Sequence, residues 1–209
     1  HFFAELFGRM GGAPHGRGGF RARGEDHHAK VLLDLEDAFT GATRQISLRM
    51  PHIDDQGRTR LDTHTLNVRI PRGVRAGQMI RLAGKGGPGA GGAPAGDLLL
   101  EVQFKPHPRF RAEGRDLHMT LPVAPWEAAL GAVISVELPD SSVKMRIPAG
   151  AQSGRQLRVR GKGIPGEPPG DVLLDIQIVV PPADTPRARE LYETLARELA
   201  FDPRHAERN

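Results

Sequence analysis

The residues with the most evident chemical potential are two glycine-lysine-glycine loops, Gly84-Lys85-Gly86-Gly87 and Gly161-Lys162-Gly163. Such loops cradle phosphates when their backbone N–H groups converge and the lysine reaches the anion. The spacing does not complete that device. A phosphate loop carries a glycine five positions before its Gly-Lys pair and Ser or Thr after it, whereas here Met79 or Gln156 precedes and Gly86 or Gly163 follows. Nine histidines offer no His-Glu-x-x-His or comparable ligand spacing, and there is no Gly-x-Ser-x-Gly elbow. Asp54 and Asp55, with His52 and His64 nearby, have the chemistry of a metal or acid–base site. Asp54-Asp55-Gln56-Gly57 is also the composition of a turn whose carboxylates bond their own backbone, and that reading is adopted. Glu127 beside Trp126 reads as a helix-surface acid. The chain has no cysteine, which removes disulfides, thiol catalysis and cysteine-ligated zinc. It reads as a non-enzyme that needs no cofactor and no metal.

Both glycine loops belong to a longer segment used twice. The first copy runs from Ile70-Pro71-Arg72-Gly73 through Ile80-Arg81-Leu82 and the loop to Gly96-Asp97-Leu98-Leu99-Leu100. The second runs from Ile147-Pro148-Ala149-Gly150 through Leu157-Arg158-Val159 to Gly170-Asp171-Val172-Leu173-Leu174. A spacing this wide, in two copies, predicts two related domains and not a solenoid of short repeats. Within each copy, proline and glycine end a strand, a short run alternates, and Gly-Asp opens a new strand.

The flanking sequence repeats the plan. Val31, Leu33 and Leu35 alternate, Glu36 to Gly41 reads as a helical turn closed by glycine, and Ile46 and Leu48 mark a returning strand. Pro51 to Thr63 is polar, and Leu66, Val68 and Ile70 form the next strand. In the second half Leu117, Met119 and Leu121 alternate, Pro125 to Gly131 is a proline-started, glycine-ended turn, and Ile134, Val136 and Leu138 follow. The expected fold is mainly β: two tandem, similar β-sandwich-like domains, each with a short helical turn, plus a C-terminal amphipathic helix. The boundaries are a flexible Gly/Phe/Arg-rich linker at 1–27, domain I at 28–111, domain II at 112–182, the helix at 183–203 and a tail at 204–209. Within the linker, residues 2–10 have the pattern of a short amphipathic turn. In the helix, Thr185 caps, Pro186 takes the first position, and Leu191, Leu195 and Leu199, with Tyr192 beside them, form a stripe.

The net charge is +4, of which +3 lies in residues 1–24. Each repeat also carries a basic run without an acid: Arg69, Arg72, Arg75, Arg81 and Lys85, then Lys144, Arg146, Arg155, Arg158, Arg160 and Lys162. Outward charges on strands are usually solvated; an anionic partner is the second reading. No run of eighteen apolar residues or signal peptide is read, so no membrane partner is expected, and the lack of cysteine suits a reducing cytoplasm. The chain opens at His1 without a methionine, as a fragment would.

The Leu35-Glu36-Asp37-Ala38-Phe39-x-Gly41 turn, the two Ile-Pro-x-Gly segments, the two Gly-x-Gly-x-Pro-Gly loops and Pro106-His107-Pro108-Arg109-Phe110 together resemble the C-terminal half of DnaJ-type (J-domain) co-chaperones. The glycine- and phenylalanine-rich arm resembles that family's linker. The family's J-domain is absent, since His107-Pro108 is followed by Arg109, and so is its cysteine-rich zinc region. The chain is therefore similar to the zinc-free class, which includes the curved-DNA-binding protein A group. The resemblance implies a co-chaperone that holds unfolded client polypeptides, prevents their aggregation and delivers them to a DnaK-type ATPase chaperone. It places a client groove at Val31, Ile46, Leu48 and Leu100, with Leu33 as the register alternative; from the residues alone these aliphatics read as core. It also implies a homodimer joined through Leu191, Tyr192, Leu195 and Leu199. The rival reading is a nucleoid-associated DNA binder, with Arg155, Arg158, Arg160 and Lys162 on phosphates.

Overall fold

The computed structural model describes residues 3–4 and 21–205, without the side chains of Phe3, Ala4 and His52. The flexibility expected of the arm concerns, for the most part, residues outside that description, as do residues 206–209 of the tail. Where the arm is described, it departs from expectation. Phe3–Ala4 form an extended strand, β1, and not part of an amphipathic turn. Residues 22–27, assigned to the linker by their composition, are hydrogen-bonded into the first sandwich: the Gly24 N–H donates to the Pro94 carbonyl at 3.0 Å and the His27 N–H to the Asp97 carbonyl at 2.8 Å.

Strand β2 (His27–Leu33) alternates, with Ala29, Val31 and Leu33 buried; Leu35, expected as the next residue of that strand face, instead opens helix α1 (Leu35–Thr40), where it is buried as well. Helix α1 is stopped by Gly41 at φ 69°, whose N–H bonds the Asp37 carbonyl. Strands β3 (Ala42–Ile53) and β4 (Thr59–Ile70) pair antiparallel along their whole length, from Ala42 opposite Ile70 to Ile53 opposite Thr59. Pro51 to Thr63, read as a polar stretch containing a turn, is thus the outer half of a long hairpin. It shows no alternation because both of its faces meet solvent, so no side is selected for apolar residues. The turn itself is as expected: the Asp54 Oδ1 accepts the N–H groups of Gln56 and Arg58.

Strands β5 (Met79–Leu82) and β6 (Leu98–Phe104) complete domain I. One sheet has the order β1-β3-β4 and the other β2-β6-β5, with β2 and β6 parallel. The second half adds β7 (Arg111–Glu113), β8 (Asp116–Val123), α2 (Pro125–Leu130), β9 (Ala132–Glu137), β10 (Ser142–Ile147), β11 (Gln156–Val159) and β12 (Val172–Ile178). Its sheets are β10-β9 and β11-β12-β8-β7, and β8 lies parallel to β12 as β2 does to β6. The protein is mainly β, two sandwiches on one plan, followed by helix α3 (Pro186–Glu198).

The repeated Gly-Asp explains itself in three dimensions. Asp97, 6% exposed, accepts the Gly84 N–H at 3.0 Å, the Arg81 Nε at 2.6 Å and the Arg23 Nη2 at 3.0 Å, while its own N–H donates to the Asp26 carboxylate at 2.7 Å. Asp171 accepts the Gly161 N–H and the Arg158 Nη1, each at 2.8 Å, and its N–H donates to the Asp116 carboxylate at 2.8 Å. The preceding glycine is obligatory. A Cβ on Gly96 would lie 2.1 Å from the Glu25 carbonyl oxygen, and one on Gly170 would lie 1.8 Å from that of Arg115.

The turn N–H groups of Gly84 and Gly161, with Arg81 and Arg158 behind them, hold both carboxyls below the ordinary carboxylate range. The folded chain therefore gives up these protons more readily than the unfolded chain. The stability they confer is fully present above the ordinary carboxylate value of about 4 and is lost as pH falls through the lowered values. Asp97→Asn with Asp171→Asn is expected to lower the urea unfolding midpoint at neutral pH. It should also flatten the further decline as pH falls below about 4; an unchanged acid slope would remove the clasps from this role.

Candidate functional site

The feature of domain I that is open to a partner is a backbone edge. Strand β3 is paired on one side with β4 throughout, but on its other side only with β1, in parallel, Phe3 opposite Ser47 and Ala4 opposite Leu48. Among the described residues, the rest of that edge pairs with no strand, so its N–H and C=O groups can accept one.

The five residues assigned to a groove, Val31, Leu33, Ile46, Leu48 and Leu100, are all buried in the hydrophobic core. β2, β3 and β6 bring them together between the two sheets. What they do for the edge is to fix it, since Ile46 and Leu48 hold β3 down while Thr43, Gln45 and Arg49 face out.

Beyond this anchored part, the hairpin leans over the first glycine loop and encloses a cleft of about 820 Å3. Met50, Pro51, Ile53 and Leu66 form one wall, and Gly84 to Gly86 with Pro88 form another. His27 is also on the cleft, and its Nδ1 is buried with no hydrogen-bond partner among the described residues. Sequence reasoning missed this site because Pro51 to Thr63 shows only polarity and a turn. The available signal was Ile53 and Leu61, two large aliphatics in a polar stretch, which prove to be 69% and 63% exposed.

The four basic residues of the second repeat are not equivalent. Arg155, Arg158, Arg160 and Lys162 are all exposed, but Arg158 is engaged with Asp171. Lys144 and Arg146, on β10, are exposed as well. On α3, Thr185 caps through its side chain, accepting the Ala188 N–H at 3.1 Å. Leu191, Leu195 and Leu199 are between 49% and 66% exposed, with Phe201 beyond them at 75%. Tyr192 behaves differently from the stripe: it is half-buried, and its hydroxyl donates to the Pro181 carbonyl, which ties the helix to the end of domain II. Among the described residues no group of acids and histidines could hold a metal ion, and no helix is long and apolar enough to cross a membrane.

Fold and edge together define a class, the duplicated β-sandwich with an open strand edge and a projecting helix. The sequence profile of the DnaJ C terminal domain matches residues 27–181, and the chain belongs to that family. It is 46% identical over 205 residues to the curved DNA-binding protein of Coxiella burnetii strain RSA 493 / Nine Mile phase I, covering 97% of this chain and 66% of that protein. It is 41% identical over 213 residues to the protein of the same name from Pseudomonas putida strain KT2440, covering 97% and 67%. The chain thus spans about two thirds of the length of these relatives.

The burial pattern separates anchoring from accessible positions. Leu48, at 1% exposure, becomes a buried unpaired charge in Leu48→Asp, with an expected loss of roughly 4 kcal/mol of stability. Ile53→Asp, on the exposed hairpin, is expected to stay within about 0.5 kcal/mol of the unaltered chain. Thermal unfolding followed by circular dichroism measures both; equal destabilisation would contradict the division.

Proposed function

We propose that this chain is the client-holding part of a DnaJ-type co-chaperone. An extended, apolar stretch of an unfolded polypeptide adds as a strand to the outer edge of β3, and its side chains reach the cleft under the hairpin. Main-chain hydrogen bonds give affinity with little sequence demand, and the apolar cleft favours aliphatic and aromatic residues. The observation that carries this reading is the β3 edge, which already accepts a strand and stands beside an apolar cleft. A longer protein containing a J-domain delivers such clients to a DnaK-type ATPase in the cytoplasm; this chain by itself holds them.

The name shared by these relatives favours a second reading, in which exposed Arg155, Arg160 and Lys162, with Lys144 and Arg146, track phosphates. Contacts of this kind are sequence-independent and fade steeply with salt. One titration separates the two. A labelled, reduced and carboxymethylated polypeptide is expected to bind the chain at near-physiological salt, to resist both added salt and duplex DNA, and to bind more weakly to Ile53→Asp. Binding that is abolished by salt and displaced by DNA would replace the client reading with the phosphate reading. An unaltered affinity in Ile53→Asp would detach the cleft from the site.

The stripe on α3 is proposed to pair with a second copy of the chain. Three exposed leucines on one helix leave an apolar face that a partner helix buries, and two edges on one dimer raise avidity for clients with several apolar segments. Light scattering is expected to give a dimer for the unaltered chain and a monomer for Leu191→Asp with Leu195→Asp. A monomer in both would end the proposal.

A further inference from the structure

We propose that β1 is an intramolecular occupant of the client edge, a strand from the arm that a client must displace; this rests on the client-holding reading above. Phe3 and Ala4 lie parallel to β3 opposite Ser47 and Leu48, at the middle of a strand that runs from Ala42 to Ile53. They also approach β2, so the edge they cover is the one that closes domain I.

Among the described residues, β1 matches two positions of β3, and the other ten pair with no second strand on that side. Two ladder positions would be a weak interaction between separate molecules. On one chain they act at an effective concentration on the order of millimolar, which makes a weak strand a competent competitor. The arm then sets a threshold. A segment that pairs along more of β3 than β1 does displaces it, whereas a segment offering two or three residues does not. The arm's own sequence around this strand, Phe2-Phe3-Ala4-Glu5-Leu6-Phe7, has the apolar and aromatic composition proposed for clients.

The test keeps the chain at full length. Phe3→Pro with Ala4→Pro removes two backbone N–H donors and disfavours ladder pairing at both positions. Two probes are titrated by fluorescence anisotropy: the labelled carboxymethylated polypeptide, and a labelled peptide with the sequence of residues 1–10. The proline variant is expected to bind the polypeptide about tenfold more tightly than the unaltered chain, as for an edge vacant about a tenth of the time. The 1–10 peptide should bind the variant and be displaced by the polypeptide. Backbone amides around Ser47 and Leu48 should exchange faster in the variant.

Equal affinity of both chains for the polypeptide, with unchanged exchange, would overturn the inference while leaving the client reading intact. If neither chain binds the polypeptide but the 1–10 peptide still binds the variant, the client reading falls and the self-pairing stands. A lower mass for the proline variant in light scattering would place β1 on a neighbouring copy and overturn the intramolecular arrangement.

Discussion

The structure depends on a carboxylate held by a turn. In each sandwich one aspartate, Asp97 or Asp171, collects the N–H of a glycine turn and the guanidinium of an arginine from the adjacent short strand. A second aspartate, Asp26 just before β2 or Asp116 at the start of β8, accepts its backbone N–H. In each mixed sheet the parallel pair and the short antiparallel strand beside it are thereby joined at one end by side chains as well as by their ladders. A parallel pair needs such an end, because its connection is long and supplies no tight turn to set the register. In domain I the same clasp draws in Arg23, so the chain entering the domain is fixed to the glycine loop that forms one wall of the cleft.

Much of this was legible because it is repeated. The two copies of the Gly-Lys-Gly and Gly-Asp segments specified two domains, and the period-two pattern of Val31 and Leu33 specified a strand with one buried face, although its third member, Leu35, belongs to α1. The turn at Asp54 was legible because its chemistry is local. What could not be read has a common cause, the reach of tertiary contacts. Arg81 and Arg158 counted in the sequence as members of basic runs, and only the fold reveals that each neutralises an aspartate more than ten residues away. Ile46 and Leu48 alternate in the same way whether they line a groove or fill a core, and periodicity does not distinguish the two. The projecting half of the hairpin has no buried face, so its strands left no pattern. Tyr192 sits beside the leucine stripe in sequence, yet its hydroxyl belongs to Pro181.

The two sandwiches share a plan but present different surfaces. In domain I, α1 contributes buried Asp37, whose carboxylate is gripped by Arg44 of β3, so the helix and the start of the open edge are tied together. In domain II the matching acid is Glu127, which caps its own helix by accepting the Ala124 N–H at 2.8 Å and leaves β9 without that tie. Beside it Trp126, Leu130 and Val133 are exposed. Duplication has thus left one copy with a braced edge and a long hairpin, and the other with a short hairpin and a basic outer face. A common clasp conserves the frame of each copy while the hairpins and outer faces diverge.

The hydroxyl bond from Tyr192 to Pro181 has a mechanical consequence. It ties the middle of α3, at Tyr192, back to Pro181 at the root where the chain leaves domain II. In the dimer proposed above, joined along α3, both sandwiches of each chain would lie on the far side of that root, like the arm of a lever beyond its pivot. A slight rotation there is multiplied over the length of two domains into a large change in the span between the two β3 edges. The phenol would act as a stop on the hinge, and the opening of the whole pair would be governed at the position farthest from where a bound chain lies.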